Sequence, residues 1–434
     1  MAAPFVSVIN LGCRVNRVES DHISAGLARA GFCLVDPEDA QLVVINTCAV
    51  TGEAEAKTRK AVRHTLSLPN EPLVIVTGCV VNLHPDVLTD ISSRVTAEPS
   101  KVAVVDRARE LLSYDARLLA CTSQGPAPRD LADMLGRSRW GVKIQDGCNH
   151  RCTYCIVWKA RGPERSVPVS AVLKQIDDAV QANIPEVVLT GVNLGAYDAE
   201  GSGDAHVEID ELLDRILRET SVQQVRLSSI EPMDVSEALL KRMGESPDRV
   251  APFLHLPIQS GCSETLRRMG RPYSAEDLLA LIAKIRRYVP EIALSGDLIV
   301  GFPGETDEEF DATLEVIEKI GFARLHVFRY SARPGTPAAT YSDQIDPQVA
   351  AARSARVREL VQRSSQRDAV RRISMTERAV LEYGNRGTLG SFHRVVVDDA
   401  DAAQEGSLVH VCIDSLDDSG MLIFGRYIMI LNIR

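Results

Sequence analysis

The sequence predicts a three-part α/β protein: an N-terminal α/β domain with a parallel sheet, a central incomplete (β/α)6 barrel, and a small C-terminal β-barrel. Three observations carry this. Residues 4–115 alternate short β-branched runs with helical stretches, the pattern of a parallel sheet. From 139 to about 340 the strand–helix unit repeats six times. After 373 only short strands and turns remain. At 434 residues the chain exceeds one ordinary core, so several domains are expected. The divisions fall at 1–115, 116–138, 139–372 and 373–434.

Composition narrows the class. Apolar residues at 45% and charged residues at 25% describe a soluble globular protein. No apolar run approaches the roughly 18 residues a membrane span needs. The opening MAAPFVSVIN has no basic region, so no signal peptide is expected. Ten cysteines in such a chain point to a reducing cytoplasm and to metal-binding or catalytic thiols rather than disulfides. A net charge of −10 argues against a generally basic nucleic-acid binder and leaves only local patches for that role.

In the first part the strands are VSVIN (6–10), LVVINT (42–47) and LVIVTG (73–78). Each runs into a cysteine: Cys13 in LGCRVN, Cys48 in NTCAVT and Cys79 in TGCVV. Loops at the carboxyl ends of parallel strands converge on one crevice, so three distant cysteines can meet there. The bland alternative is three buried core thiols. Between these strands, TGEAEAKTRKAVRH starts behind Thr51 as N-cap, with acidic residues in its first turn. Lys57, Lys60 and His64 share one face of that helix, and Arg59 and Arg63 another. They form either a solvated charged face or a phosphate-contacting patch, with Lys57 and Arg63 as candidate RNA contacts. Residues 116–138 carry Gly-Pro-Ala-Pro and no apolar period, and read as a linker holding Cys121.

The second part opens with CNHRCTYC (148–155), which sets Cys148, Cys152 and Cys155 in a C-x3-C-x2-C spacing. Iron–sulfur clusters are held by thiolates, normally four. Three in one loop can hold three corners of a cubane and leave an iron open, as catalytic metals keep an open position. The competing reading is a zinc site completed by His150, although its one-residue spacing makes a tetrahedral site hard to close. Chemistry in βα barrels sits at the carboxyl ends of the strands. There the sequence places Thr190, Gly191 and Asn193, then Ser229 and Glu231, then Gln259, then Gly301 in GFPGE. Residues 348–372 hold seven arginines, Arg356 and Arg363 among them, against Glu359 and Asp368. This is the best electrostatic candidate for RNA backbone contact, with a solvated helix as the alternative. The last part, 373–434, has five arginines against nine carboxylates.

CNHRCTYC resembles the signature of the radical S-adenosylmethionine (SAM) superfamily, in which SAM chelates the open iron; Tyr154 is an aromatic typical there. LGCRVN, NTCAVT and TGC together resemble the N-terminal domain of the methylthiotransferases, and the order of barrel motifs resembles their core. The resemblance implies that Cys13, Cys48 and Cys79 hold an auxiliary [4Fe–4S] cluster. It implies that Thr190, Gly191 and Asn193 lie near the SAM amino group, Ser229, Glu231 and Gln259 near its carboxylate and ribose, and Gly301 by its adenine. Arg14 and Val15 fit the branch acting on threonylcarbamoyladenosine in tRNA. The last part resembles the TRAM domain, which usually binds RNA; its acidity keeps a basic protein substrate open. One departure is IVWKARGPERS after Cys155, where relatives commonly have Ile-Ile-Pro; Trp158 and Lys159 could reshape a substrate lip.

The expected activity is therefore methylthiolation of threonylcarbamoyladenosine beside the tRNA anticodon, with two [4Fe–4S] clusters and SAM. A soluble cytoplasmic monomer served by an electron donor such as a flavodoxin or ferredoxin is expected. The alternatives are methylthiolation of a ribosomal-protein side chain and a non-catalytic cluster carrier.

Overall fold

A computed structural model describes residues 4–113, 137–199, 206–398 and 405–430. Nearly all of the expected linker, with Cys121, lies outside the described residues. Among those described, no helix is long and apolar enough to cross a membrane.

The N-terminal sheet contains β1 (Phe5–Asn10), β2 (Cys33–Leu34), β3 (Leu42–Thr47), β4 (Leu73–Gly78) and β5 (Val95–Ala97). Their order is β2-β1-β3-β4-β5, all parallel. All six residues of β3 are buried, as a central strand covered on both faces requires. Helices α1 (Arg14–Arg29), α2 (Gly52–Leu66) and α3 (Cys79–Leu83) start at the carboxyl ends of β1, β3 and β4. Thr51 caps α2 as the sequence predicts, its side chain accepting from the Ala54 amide at 3.1 Å.

The central sheet elements are β6 (Trp140–Lys143), the short pair β7 (Gln145–Asp146) and β8 (Arg165–Ser166), then β9 (Glu186–Thr190), β10 (Gln224–Leu227), β11 (Phe253–Gln259), β12 (Ala293–Val300) and β13 (Arg324–Arg329). Six parallel strands run β6-β9-β10 and β11-β12-β13, and the bridges Val225↔Val250 and Ser229↔His255 join the two sets. β6 and β13 do not pair, so the barrel is incomplete, as predicted. Capping boxes at Ser274/Asp277 and Thr306/Glu309 fix the starts of two outer helices.

The C-terminal strands β14 (Thr376–Leu381), β15 (Arg386–Leu389), β16 (Arg394–Asp398), β17 (Leu408–Leu416) and β18 (Ile423–Ile430) close a small barrel in the order β14-β15-β16-β18-β17.

The helix Pro347–Val370 corrects the charge expectation for 348–372. Arg353 is buried against Glu305 and Asp307, Arg356 meets Asp311 at 3.0 Å, and Arg367 faces Glu318. Arg363 pairs with Glu359, while Arg372 is buried between Asp368 and Glu377. Three of these carboxylates, Asp307, Asp311 and Glu318, come from the helix Asp307–Ile320 and Glu305 from just before it, well outside 348–372, so a local count misses them. Arg356 and Arg363 remain exposed, and such surface pairs are weak.

A buried polar latch joins the first two parts. Arg161 donates to Glu19 at 2.9 Å, Asp146 at 2.8 Å and Asn16 at 2.5 Å. Lys101 and Lys143 each reach Glu19 at 2.5 Å. Burial works to raise the Glu19 carboxyl, but Arg161, Lys101 and Lys143 outweigh it and hold it at about 2. A carboxyl depressed from 4.5 contributes stability that is complete above that value and lost as pH falls toward about 2. The contribution is on the order of 3 kcal/mol. Metal-free protein should therefore lose resistance to urea steeply between those pH values. Glu19→Gln should flatten that dependence, and an unchanged slope would show that other carboxylates govern it.

Candidate active site

The polar ends of the first sheet place its cysteines. Cys13 precedes α1, Cys48 follows β3, and Cys79 opens α3. Asn16 donates to the Thr47 carbonyl at 2.7 Å, Asn46 donates to the Asn16 carbonyl at 2.9 Å, and the Thr47 hydroxyl donates to the Thr77 carbonyl at 2.7 Å. Gly78 turns the chain into Cys79 at φ 95°, where a Cβ would strike Asn46 and the Thr47 carbonyl. Cys48 and Cys79 are buried and Cys13 is exposed. The three lie close enough that Cys13 and Cys79 each add to the cost of ionising Cys48.

The second cysteine loop spans β7 and β8, which pair antiparallel beneath it. Gly147 begins it at φ 76°, and a Cβ there would sit 1.9 Å from the Pro163 carbonyl oxygen. Thr153 anchors the loop: its amide donates to the Met269 carbonyl, its hydroxyl to the Arg268 carbonyl, and its carbonyl accepts from the Ala338 amide. The Val157 amide donates to Cys155 Sγ at 3.4 Å. Burial pushes the Cys48 and Cys148 thiols up to about 11 and the Cys155 thiol up to about 12. These sulfurs are therefore protonated in metal-free protein, and metal binding must displace the protons.

A cavity of about 260 Å³ lies over this loop. Cys148, Cys152, Cys155 and His150 line one side, Val50 and Thr51, beside Cys48, another, and barrel strand ends the rest. Tyr154, Asn193, Ser229, Glu231 and Gln259 line it as well. Gln259 ends its strand at φ 64°, unusual for a residue with a side chain. Thr190, Gly191 and Gly301 do not line it. Thr190 faces a second, arginine-lined cleft, Gly191 packs on Gln145, and Gly301 turns against Ala350. The Asn193 side chain is occupied by the fold: it donates to Asp234 at 2.5 Å and accepts from the Glu231 and Gly195 amides.

Sequence reasoning missed Arg271. It is buried, donating to Cys152 Sγ at 3.2 Å, to Tyr273 at 2.9 Å and to Glu231. Burial opposes its charge, but Glu231, Tyr154 and Tyr273 outweigh that and raise it above the ordinary guanidinium value. Nothing in GRPYS marked it, because its value lies in reaching a cysteine 119 residues away. A fixed cation beside a thiol suits an anionic thiolate cluster. Among the described residues, neither cysteine set converges within 4.8 Å as ligands of one ion would, with or without His150. Sulfurs on a single zinc would lie roughly 4 Å apart, whereas a cubane spaces its thiolates more widely. The group that does converge so closely is His255, Asp297 and His326, inside the barrel.

Trp158 lies outside the cavity lining, stacked between Arg151 and Lys159, and Lys159 is tied to the Gly335 carbonyl at 2.7 Å. Lys57 and Arg63 are exposed on α2, Lys57 beside Glu53. The first turn of α2 is tied to the cavity rim through Ser331, which accepts from the Gly52 amide, and through the Glu55–Arg333 ion pair.

Residues 142–317 match the Radical SAM superfamily, and residues 6–97 match the family described as Uncharacterized protein family UPF0004. The threonylcarbamoyladenosine tRNA methylthiotransferase MtaB of Thermotoga maritima is 35% identical over 77% of this chain and 76% of its own. The enzyme of that name from Chlamydia pneumoniae is 33% identical over 96% of both. A tRNA-2-methylthio-N(6)-dimethylallyladenosine synthase of Sphingopyxis alaskensis is 32% identical over 86% of both. Among solved structures, the radical S-adenosylmethionine methyltransferase TsrM of Kitasatospora setae aligns over 78% of this chain and 77% of its own, with a TM-score of 0.55 at 15% identity. That likeness concerns the fold alone.

Proposed function

The chain belongs to the radical SAM methylthiotransferase family, and from that premise we propose that it converts N6-threonylcarbamoyladenosine beside the tRNA anticodon to its 2-methylthio derivative. The observation that carries the proposal is the shared cavity, lined both by Val50 and Thr51, in the loop that follows Cys48, and by Cys148, Cys152 and Cys155. Cys148, Cys152 and Cys155 would hold one [4Fe–4S] cluster, and Cys13, Cys48 and Cys79 a second. When bound, the clusters and SAM supply one-electron reduction, hydrogen abstraction and the methylthio group. The protein's part is positional. Arg271 neutralises charge beside Cys152, Glu231 and Gln259 present polar groups to the cavity, and the Arg161 latch ties together the two parts that carry the cysteine sets. Lys57, Arg63, Arg356 and Arg363 are candidate phosphate contacts at the periphery, and a flavodoxin- or ferredoxin-like donor would supply electrons.

The ribosomal-protein alternative rested on the acidity of the last part. Folding segregates that charge: Asp414 pairs with Arg426 and Asp417 caps its own turn, while Arg386 and Arg394 line the arginine cleft. Reconstituted protein, SAM and reductant should convert an anticodon stem-loop RNA carrying threonylcarbamoyladenosine, read by mass spectrometry of its nucleosides. A cluster carrier would form neither this product nor 5′-deoxyadenosine.

A further inference from the structure

The barrel interior continues past the cysteine cavity to an unusual cluster. Asp297 and Phe328 line that cavity. Deeper on the same faces, His326 stands opposite Asp297 and Arg324 opposite Ser295. Beyond them Phe392 of the small barrel, at φ 69°, packs on Phe253, Ala293 and Ala323 at the amino ends of β11, β12 and β13. Four guanidinium groups lie over its ring: Arg14 at 5.5 Å, Arg139 at 5.6 Å, Arg226 at 5.0 Å and Arg324 at 5.4 Å.

Two of the four are neutralised within the fold. Arg226 is fully buried on Glu186 and the Leu389 and Gly390 carbonyls, and Arg139 pairs with Glu382 at 3.1 Å. Arg14 and Arg324 make no ion pair among the described residues, although Glu186, already held by Arg226, lies near enough to favour the Arg14 charge, and both are exposed. A local surplus of cations inside a chain of net charge −10 needs an anion from outside. Arg14 also directly follows Cys13, so one residue joins this cluster to the first cysteine set.

We propose that Arg14, with Arg324 beside it, forms the subsite that binds the threonyl carboxylate of the substrate nucleoside and so selects it over adenosines bearing neutral substituents. This deepens the reading of threonylcarbamoyladenosine as substrate and rests on it. The spacing fits. Two residues along a strand cover roughly 7 Å, which sets Arg324 about one such step below the level of Asp297. The bonds from the adenine N6 through the carbamoyl group to the carboxylate span roughly 6 Å. A base at the Asp297–His326 level thus delivers its carboxylate to the Arg14–Arg324 pair. Arginine binds a carboxylate through two parallel hydrogen bonds, whereas a neutral substituent leaves those donors unpaired.

The test compares two anticodon stem-loop RNAs with the reconstituted holoenzyme. One carries threonylcarbamoyladenosine, the other its threonyl methyl ester. Wild-type enzyme should favour the carboxylate in KM by roughly 10–100-fold, the range for a charge-assisted pair. Arg14→Gln and, separately, Arg324→Gln should bring that ratio toward one, and Arg14→Lys should restore part of it. Iron content and far-UV circular dichroism establish that each variant is folded. A ratio unchanged in both glutamine variants overturns the assignment, as does an equal loss on both RNAs, which would indicate a backbone contact. Wild-type enzyme acting on neither RNA would overturn the substrate reading itself, and the subsite with it.

Discussion

Replacing Cys13, Cys48 and Cys79 with alanine is expected to leave 5′-deoxyadenosine formation intact and to reduce methylthio-nucleoside to background. The expectation follows from how each set is held. Hydrogen bonds among Asn16, Asn46, Thr47 and Thr77 set the crevice through oxygen and nitrogen atoms, with only a long 3.7 Å contact from Cys13 Sγ to Asn16 beside them, so removing three small side chains leaves the first sheet standing. The loop of Cys148, Cys152 and Cys155 is anchored separately, through Thr153 to Met269, Arg268 and Ala338. SAM cleavage should therefore continue with no sulfur to deliver. Chromatography of small-molecule products alongside mass spectrometry of RNA nucleosides reads both halves. Methylthio-nucleoside formed at wild-type rates would mean that these cysteines are core thiols only.

The complementary triple substitution, Cys148, Cys152 and Cys155 to alanine, should abolish SAM cleavage and halve the iron, from about eight atoms to about four. Iron analysis and electron paramagnetic resonance of the reduced protein report this directly. The result is informative because the Arg161–Glu19 latch and the Glu55–Arg333 pair tie the two parts together without a covalent bond. Loss of all iron would show that the first site forms only when the second is filled.

The two cysteine sets were legible in the sequence because thiolate chemistry leaves a local signature. Three cysteines within eight residues, and three more at successive strand ends, can be read without coordinates. Strand order in the barrel was legible for a related reason: each βα unit carries its own period, turns and cap. Thr190 and Gly301 were harder. Lying at a strand end is a one-dimensional property, but facing one cavity rather than another depends on how the strand is rotated and what packs behind it. For Gly301 that is Ala350, from a helix far along the chain. The charge balance of 348–372 was only partly legible for a similar reason, since Asp311, Glu318 and Glu305 reach its arginines from elsewhere.

By itself the sequence determined the three-part architecture, the six cysteines and the family they mark, since each of these rests on covalent spacing and local periodicity. Only the tertiary structure decided that Arg271 meets Cys152, that Arg161 latches the two α/β parts, and that Arg14 and Arg324 share the ring of Phe392. Such contacts join residues up to several hundred positions apart. Their free energy depends on burial and on the carboxylates that arrive with them, and neither quantity exists until the chain has folded.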